Sequence, residues 1–177
     1  MNIKYLDFNN YLDKIEKLYL NSFPKSERFP FWILKESSKS DNSNLSAIIV
    51  DNVYVGMCYM VNCMDAYYIM YFAIEPNLRN KKYGSEILKN LKEKYKILFL
   101  SIEKSNDDIG LKRRNFYLKN GFHETNKYYE DNGVCYEILC TDDKYEINDK
   151  VMNRRYINMT NDPKLINEIT KIFNVSK

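Results

Sequence analysis

Histidine is nearly absent from this chain: His123 is the only one, and no nucleophile motif accompanies it. A serine or cysteine triad would depend on it, so triad chemistry is set aside and His123 is read as structural. Cysteine is also scarce. Cys58, Cys63, Cys135 and Cys140 form two pairs of identical spacing. A five-residue step within a strand puts the two side chains on opposite faces, which suits neither a shared metal nor a bridge. No metal is expected, and the four are read as reduced thiols acting as small buried hydrophobes. Long apolar runs are missing too. Nothing approaches a membrane span, and MNIKYLDFNNYLDKIEKLYL lacks the apolar core of a signal peptide. The expectation is a cytoplasmic protein without membrane contact. A net charge of +3 is small, and the lysines are scattered among acidic residues rather than gathered in a stripe. That disfavours nucleic acid as a partner. With no repeat or linker composition, residues 1–177 are expected to form one domain, with a core over about 1–141 and an extension over about 142–177.

What is present centres on residues 67–95. Tyr67 to Ile74 is an apolar run that reads as a buried strand, stopped by Pro76. A basic turn follows, with Arg79, Asn80, Lys81, Lys82, Tyr83, Gly84 and Ser85, and an amphipathic helix begins near Tyr83. A first helical turn has backbone N–H groups without intrahelical acceptors, at the positive end of the helix dipole. Gly84 admits a close anion, and Arg79, Lys81 and Lys82 add charge. The geometry is that of a phosphate site.

Around it, the order of elements is readable. A short strand, Ile3 to Leu6, precedes a helix over 10–23 with Leu12, Ile15, Leu18 and Tyr19 on one face. Phe29, Phe31, Trp32, Ile33 and Leu34 then crowd one short segment, which either packs as core or lines a pocket. Residues 37–44 read as a mobile polar loop. Strands over 45–50, 53–62 and 67–74 form an antiparallel meander, and 97–102 reads as a central strand covered on both faces. A helix over 106–120 ends at Gly121. Strands over 122–129 and 134–141 are joined by a turn carrying an Asn132-Gly133 hairpin signal. After Asp142 the pattern weakens until a last helix behind Asp162-Pro163, with Leu165, Ile166, Ile169, Ile172 and Phe173 on its apolar face.

Two motifs carry a family resemblance. Residues 76–85, Pro-Asn-Leu-Arg-Asn-Lys-Lys-Tyr-Gly-Ser, are similar to the Arg/Gln-x-x-Gly-x-Gly/Ala pyrophosphate loop of the GNAT (Gcn5-related N-acetyltransferase) superfamily. Residues 115–122, Asn-Phe-Tyr-Leu-Lys-Asn-Gly-Phe, are similar to its helix-ending Phe-Tyr-x-x-x-Gly-Phe. The likeness spans roughly residues 45 to 140, and Ser22-Phe23-Pro24 also looks like the family's early helices. Lys82 stands where the family usually has its first loop glycine. The resemblance implies an α/β (α+β) fold: a mixed, mostly antiparallel twisted sheet of about seven strands, helices on both faces, and here a C-terminal helical extension. It also implies acetyl-CoA as co-substrate, lying between splayed fourth and fifth strands. Main-chain groups of Phe72, Ala73 and Ile74 would bond to its pantetheine, and residues 79–85 would wrap its pyrophosphate.

Acyl transfer to an amine needs a neutral amine, a donor for the oxyanion and a proton for the leaving thiolate. On the family reading, the donor is a backbone N–H near Ile74 and the acid is Tyr117. An ordinary tyrosine pKa near ~10 keeps that phenol protonated at neutral pH. Glu103 is the first candidate to take the amine's proton or hold the ammonium; Glu75 and Glu27 are the others. Arg113 and Arg114 either help hold the phosphoadenosine or form a solvated helix face. The acceptor amine is expected to meet an apolar wall of Phe29, Phe31 and Trp32. It is left open between a small molecule (an aminoglycoside, polyamine or amino acid) and a peptide end. The extension either packs on the sheet, covers the acceptor site or mediates a dimer, so both monomer and homodimer stand. Three function classes follow: N-acetyltransferase, a noncatalytic acyl-CoA-binding or regulatory module on the same fold, and, weakest, a nucleic-acid binder.

Overall fold

Apolar side chains at nearly every position of the central strands require cover on both faces, and the fold supplies it. The computed structural model describes residues 1–131 and 133–172. Its strands are β1 (Ile3–Asp7), β2 (Ser43–Val50), β3 (Val53–Asn62), β4 (Tyr67–Ile74), β5 (Leu98–Glu103), β6 (His123–Asp131) and β7 (Val134–Cys140). They form a seven-stranded sheet in the order β1-β2-β3-β4-β5-β7-β6. β4 and β5 pair in parallel and every other neighbouring pair is antiparallel. The turn between β2 and β3 places Asp51 and Asn52 at φ 49° and 66°, the left-handed conformation that a tight hairpin requires and Asn tolerates.

Helices α1 (Leu12–Ser22), α2 (Phe31–Ser37), α5 (Asp149–Ile157) and α6 (Pro163–Ile172) belong to the core on one sheet face. Helices α3 (Tyr83–Lys94) and α4 (Asp108–Lys119) cover the other. Each face is built by alternation: Met57, Tyr59 and Val61 enter the first core, and Cys58 and Met60 the second. Ile87, Leu88 and Leu91 of α3 are almost fully buried. Burying such a side chain is worth roughly 1.5–3 kcal/mol.

Several expectations need correction. Trp32 is 51% exposed, while Phe29, Phe31, Ile33 and Leu34 are core. Cys135 is exposed, unlike the other three cysteines. The 37–44 segment is anchored rather than loose: the buried Ser43 hydroxyl donates to the carbonyls of Ser37 and Met159, at 2.9 and 2.8 Å. The first helix is preceded by a 3-10 turn over Phe8–Tyr11. α5 lies where the sequence pattern had weakened. Its buried face includes Arg155 as well as Val151, Met152 and Tyr156, and a charged residue on that face hides the apolar period. Asn132 of the hairpin signal and Phe173 of the last helix lie outside the described residues.

One irregularity opens the sheet. β3 and β4 pair Tyr59 with Tyr71 and Met60 with Ile69, so Met70 is an extra, bulged residue. A bulge bends its strand. β4 pairs with β5 only through Tyr67, Ile69 and the residue between them, opposite Leu98 to Leu100. Beyond that point β4 continues with β3 and β5 continues with β7 as far as Glu103 opposite Tyr136. Residues 70–74 and 101–103 therefore face each other across a gap.

Candidate active site

The gap is the floor of a cleft of about 770 Å³. Strand geometry decides which peptide groups face it. The Glu75 N–H donates to the Val55 carbonyl at 2.9 Å. Amide directions alternate along a strand, so Ala73 also bonds toward β3, and the peptide groups of Phe72 and Ile74 face the gap. Gly56 fits this arrangement, since a Cβ there would sit 2.2 Å from the Ala73 carbonyl oxygen. Arg79 folds back over the end of β4, and its Nε donates to the Ile74 carbonyl at 3.0 Å. Phe72, Ala73 and Ile74 all border the cleft.

The basic turn forms one end. Asn80 and Lys82 adopt φ 61° and 66°. Lys82 is the N-cap of α3, left-handed, and its side chain makes no capping bond. Lysine thus adopts the backbone that a glycine would take without steric cost. Arg79, Asn80, Lys82, Gly84 and Ser85 line the cleft; Lys81 and Tyr83 do not. Tyr83 packs against the second core instead. Gly84 lies against α4: a Cβ there would come 3.0 Å from the Phe116 ring.

α4 supplies the wall. Tyr117 lines the cleft, with its ring edge-on to Phe122 at 5.5 Å. Burial pushes its pKa well above the ordinary tyrosine value, with Arg113 pulling the other way, so the phenol keeps its proton. The two arginines separate. Arg113 lines the cleft. Arg114 turns to the sheet, where its Nε bonds the buried Glu137 carboxylate at 2.9 Å, and it also pairs with Glu124.

The other end is built from elements far apart in sequence. Glu103 ends β5 at the mouth of the gap. Glu27 enters from the segment before α2, and two buried tyrosines hold that segment down. The Tyr71 hydroxyl donates to the Glu27 carbonyl at 3.1 Å and accepts from the Phe29 N–H at 3.2 Å. The Tyr19 hydroxyl donates to the Phe29 carbonyl at 3.0 Å. Burial raises the Glu27 carboxyl above the usual range, and the Glu103 charge adds to that; Arg113 offsets part of it. Glu75, the remaining carboxylate candidate, does not line the cleft. Its charge instead raises the pKa of Tyr54, after burial.

Sequence reasoning missed Tyr129, Asp131, Tyr136 and Tyr156, which line this end together with Glu27 and Glu103. The β6–β7 alternation could have grouped Tyr129 and Asp131 on one face; nothing local pointed to Tyr156. Its hydroxyl donates to Asp131 Oδ2 at 3.3 Å. Behind it, Arg155 lies over the rings of Tyr129 and Tyr156, 4.3 Å from each centroid. Of the expected apolar wall, Phe29 lines the cleft, and Phe31 and Trp32 do not.

The site is thus a mixed sheet splayed between β4 and β5, with an uncapped helix start at one end of the gap. Residues 41–124 match the family model described as Acetyltransferase (GNAT) domain. Solved structures agree in fold. A GNAT-family protein from Bacteroides thetaiotaomicron is 22% identical, with a TM-score of 0.77 over 99% of this chain and 100% of its own. The ribosomal-protein-S18-alanine N-acetyltransferase from Escherichia coli is 14% identical, with a TM-score of 0.60 over 84% of this chain and 97% of its own. An acetyltransferase from Bacillus subtilis in complex with CoA is 16% identical, with a TM-score of 0.58 over 80% of this chain and 97% of its own. No curated protein matches the sequence. Among the described residues no helix is long and apolar enough to cross a membrane, and no acidic, cysteine or histidine group is arranged to hold a metal.

Proposed function

We propose that this protein is an N-acetyltransferase that moves an acetyl group from acetyl-CoA to a primary amine by direct attack in a ternary complex. The observation that carries the reading is the gap between β4 and β5 running into the uncapped start of α3. Peptide groups of Phe72 and Ile74 suit a strand-like pantetheine, and the Gly84 and Ser85 amides with Arg79, Asn80 and Lys82 suit a pyrophosphate. Lys81 adds long-range charge from outside the cleft. Acetyl-CoA supplies an activated thioester. Around it, the Ile74 N–H donates to the oxygen on which charge develops as the amine nitrogen attacks and the C–S bond breaks. Tyr117 gives its proton to the departing sulfur, and its raised pKa guarantees that the proton is there. Glu103 receives the amine's proton, directly or through water.

The test has two stages. Calorimetric titration with acetyl-CoA is expected to show one site per chain, and no binding at millimolar ligand would end the reading. A thiol-release assay over a panel of amines is then expected to show amine-dependent turnover. Binding without release on any amine would favour the noncatalytic module, the reading that Lys82 in place of a loop glycine motivates.

A further inference from the structure

The basic end of the cleft, with Arg79, Lys82, Gly84 and Arg113, falls inside residues 41–124, the stretch that matches the family model. Tyr129, Asp131, Tyr136 and Tyr156 line the opposite end and all come after that stretch. They belong to β6, β7 and α5. One side chain behind this wall connects them. Arg155 of α5 is 7% exposed and does not line the cleft. Its guanidinium lies over the rings of Tyr129 and Tyr156. Tyr129 in turn stacks on Tyr136 at 5.1 Å. Arg155 Nη2 donates to the Tyr156 hydroxyl at 3.2 Å, and that hydroxyl donates to Asp131 Oδ2 at 3.3 Å. A phenol has one proton to give, so the bonds run in one direction, from the guanidinium through Tyr156 to the carboxylate. Arg155 Nη1 donates to the Met152 carbonyl at 3.0 Å, which ties the guanidinium to its own helix.

This is a costly way to fill space. A buried guanidinium needs partners for its donors, and Arg155 Nε has none among the described residues. An apolar side chain of similar volume would pack there without that cost. It would supply neither a flat cation over two rings nor a donor to Tyr156. We propose that Arg155 is a positioning residue for the acceptor amine. From behind the wall it sets the Tyr129 and Tyr156 rings and, through the Tyr156 hydroxyl, the Asp131 carboxylate that the acceptor meets. The C-terminal extension is thereby part of the active site. The inference rests on the acetyltransferase reading and adds what fixes its acceptor end.

The probe is the amine with the highest kcat/KM on the wild-type protein among primary alkylamines, diamines, arylalkylamines and amino-acid amides. Arg155→Met should raise the KM for that amine by about tenfold, with kcat changed by less than about threefold. Acetyl-CoA affinity, measured by calorimetry, should stay the same. Tyr156→Phe deletes one oxygen and keeps the ring, and it should raise the amine KM by roughly fivefold. The double variant should be no worse than Arg155→Met alone, because both changes break one line of contacts. Multiplied effects in the double variant would overturn the proposal, as would an acetyl-CoA affinity that falls as far as the amine's. A lower Tm with an unchanged amine KM would reduce Arg155 to a support of the fold. Should Arg155→Met not fold, Tyr156→Phe decides alone, and an unchanged amine KM overturns the proposal. Each of these results leaves the acetyltransferase reading intact. No thiol release by the wild-type protein with any of the amines would end that reading and this inference together.

Discussion

At the start of α4 the Asp107 carboxylate accepts from the Gly110 N–H at 2.6 Å, and the Ser105 hydroxyl accepts from the Asp107 N–H at 3.2 Å. At the start of α3, Lys82 makes no such bond and holds a left-handed backbone. Both helices run twelve residues. One uses its first-turn donors on the protein itself, and the other keeps them for something else. The end of the cleft proposed to hold the pyrophosphate is therefore distinguished by an omitted cap as much as by the basic residues around it. Four substitutions probe that contrast.

Gly84→Val should have the largest effect. The new side chain must displace the Phe116 ring, 3.0 Å from a Cβ, and it crowds the open amides. CoA affinity measured by calorimetry is expected to fall about 100-fold or more, equivalent to ~2.7 kcal/mol. Unchanged affinity in a folded variant would move the phosphates elsewhere.

Tyr117→Phe comes next and leaves the anion end untouched. Turnover should drop by roughly 100-fold, within the range for a lost general acid, while acetyl-CoA affinity stays the same. Because burial raises the Tyr117 pKa, the protonated phenol is favoured, and the wild-type kcat should not decline below pH ~10 through loss of that proton. Unaltered kcat over the full pH profile would remove Tyr117 from the mechanism.

Lys82→Gly tests the cost of the left-handed lysine. Glycine relieves roughly 1 kcal/mol of backbone strain, and thermal unfolding should shift upward accordingly. A lower Tm would mean that the lysine side chain stabilises the turn by more than its backbone costs.

Asp107→Ala should be the mildest for function. It removes the cap of α4, so Tm falls by a few degrees while CoA affinity holds. The Gly110 N–H bond, with help from Ser105, lowers the Asp107 pKa. A depressed carboxyl stabilises the fold above its unfolded pKa and loses that contribution as pH falls through its folded value. The Tm difference should therefore be full at neutral pH and vanish in strong acid. A loss of CoA affinity larger than the loss of stability would erase the distinction between the two helix starts.

What the sequence disclosed follows the same division. The turn at 79–85 and the helix end at 115–122 are contiguous, so their chemistry and spacing were readable from the residues alone. All seven strands were readable: near-continuous apolar runs marked the central ones, which are buried on both faces, and turn residues bounded the others. The bulge at Met70 was not readable, since it exists only in the pairing of β4 with β3. The carboxylate end was readable only in part: Glu27 and Glu103 were nameable as candidates, and Asp131 and Tyr156 were not. Glu27, Glu103, Asp131 and Tyr156 are brought together from four separate elements. α5 was concealed by Arg155, whose burial depends on tyrosine rings from β6 and from α5 itself.

The claim that the open start of α3 receives the coenzyme's pyrophosphate is tested most directly by amide chemical shifts. In a ¹⁵N-labelled sample titrated with CoA, the Gly84 and Ser85 amides should move and saturate along the binding curve measured by calorimetry. CoA binding with both amides unmoved would contradict the account.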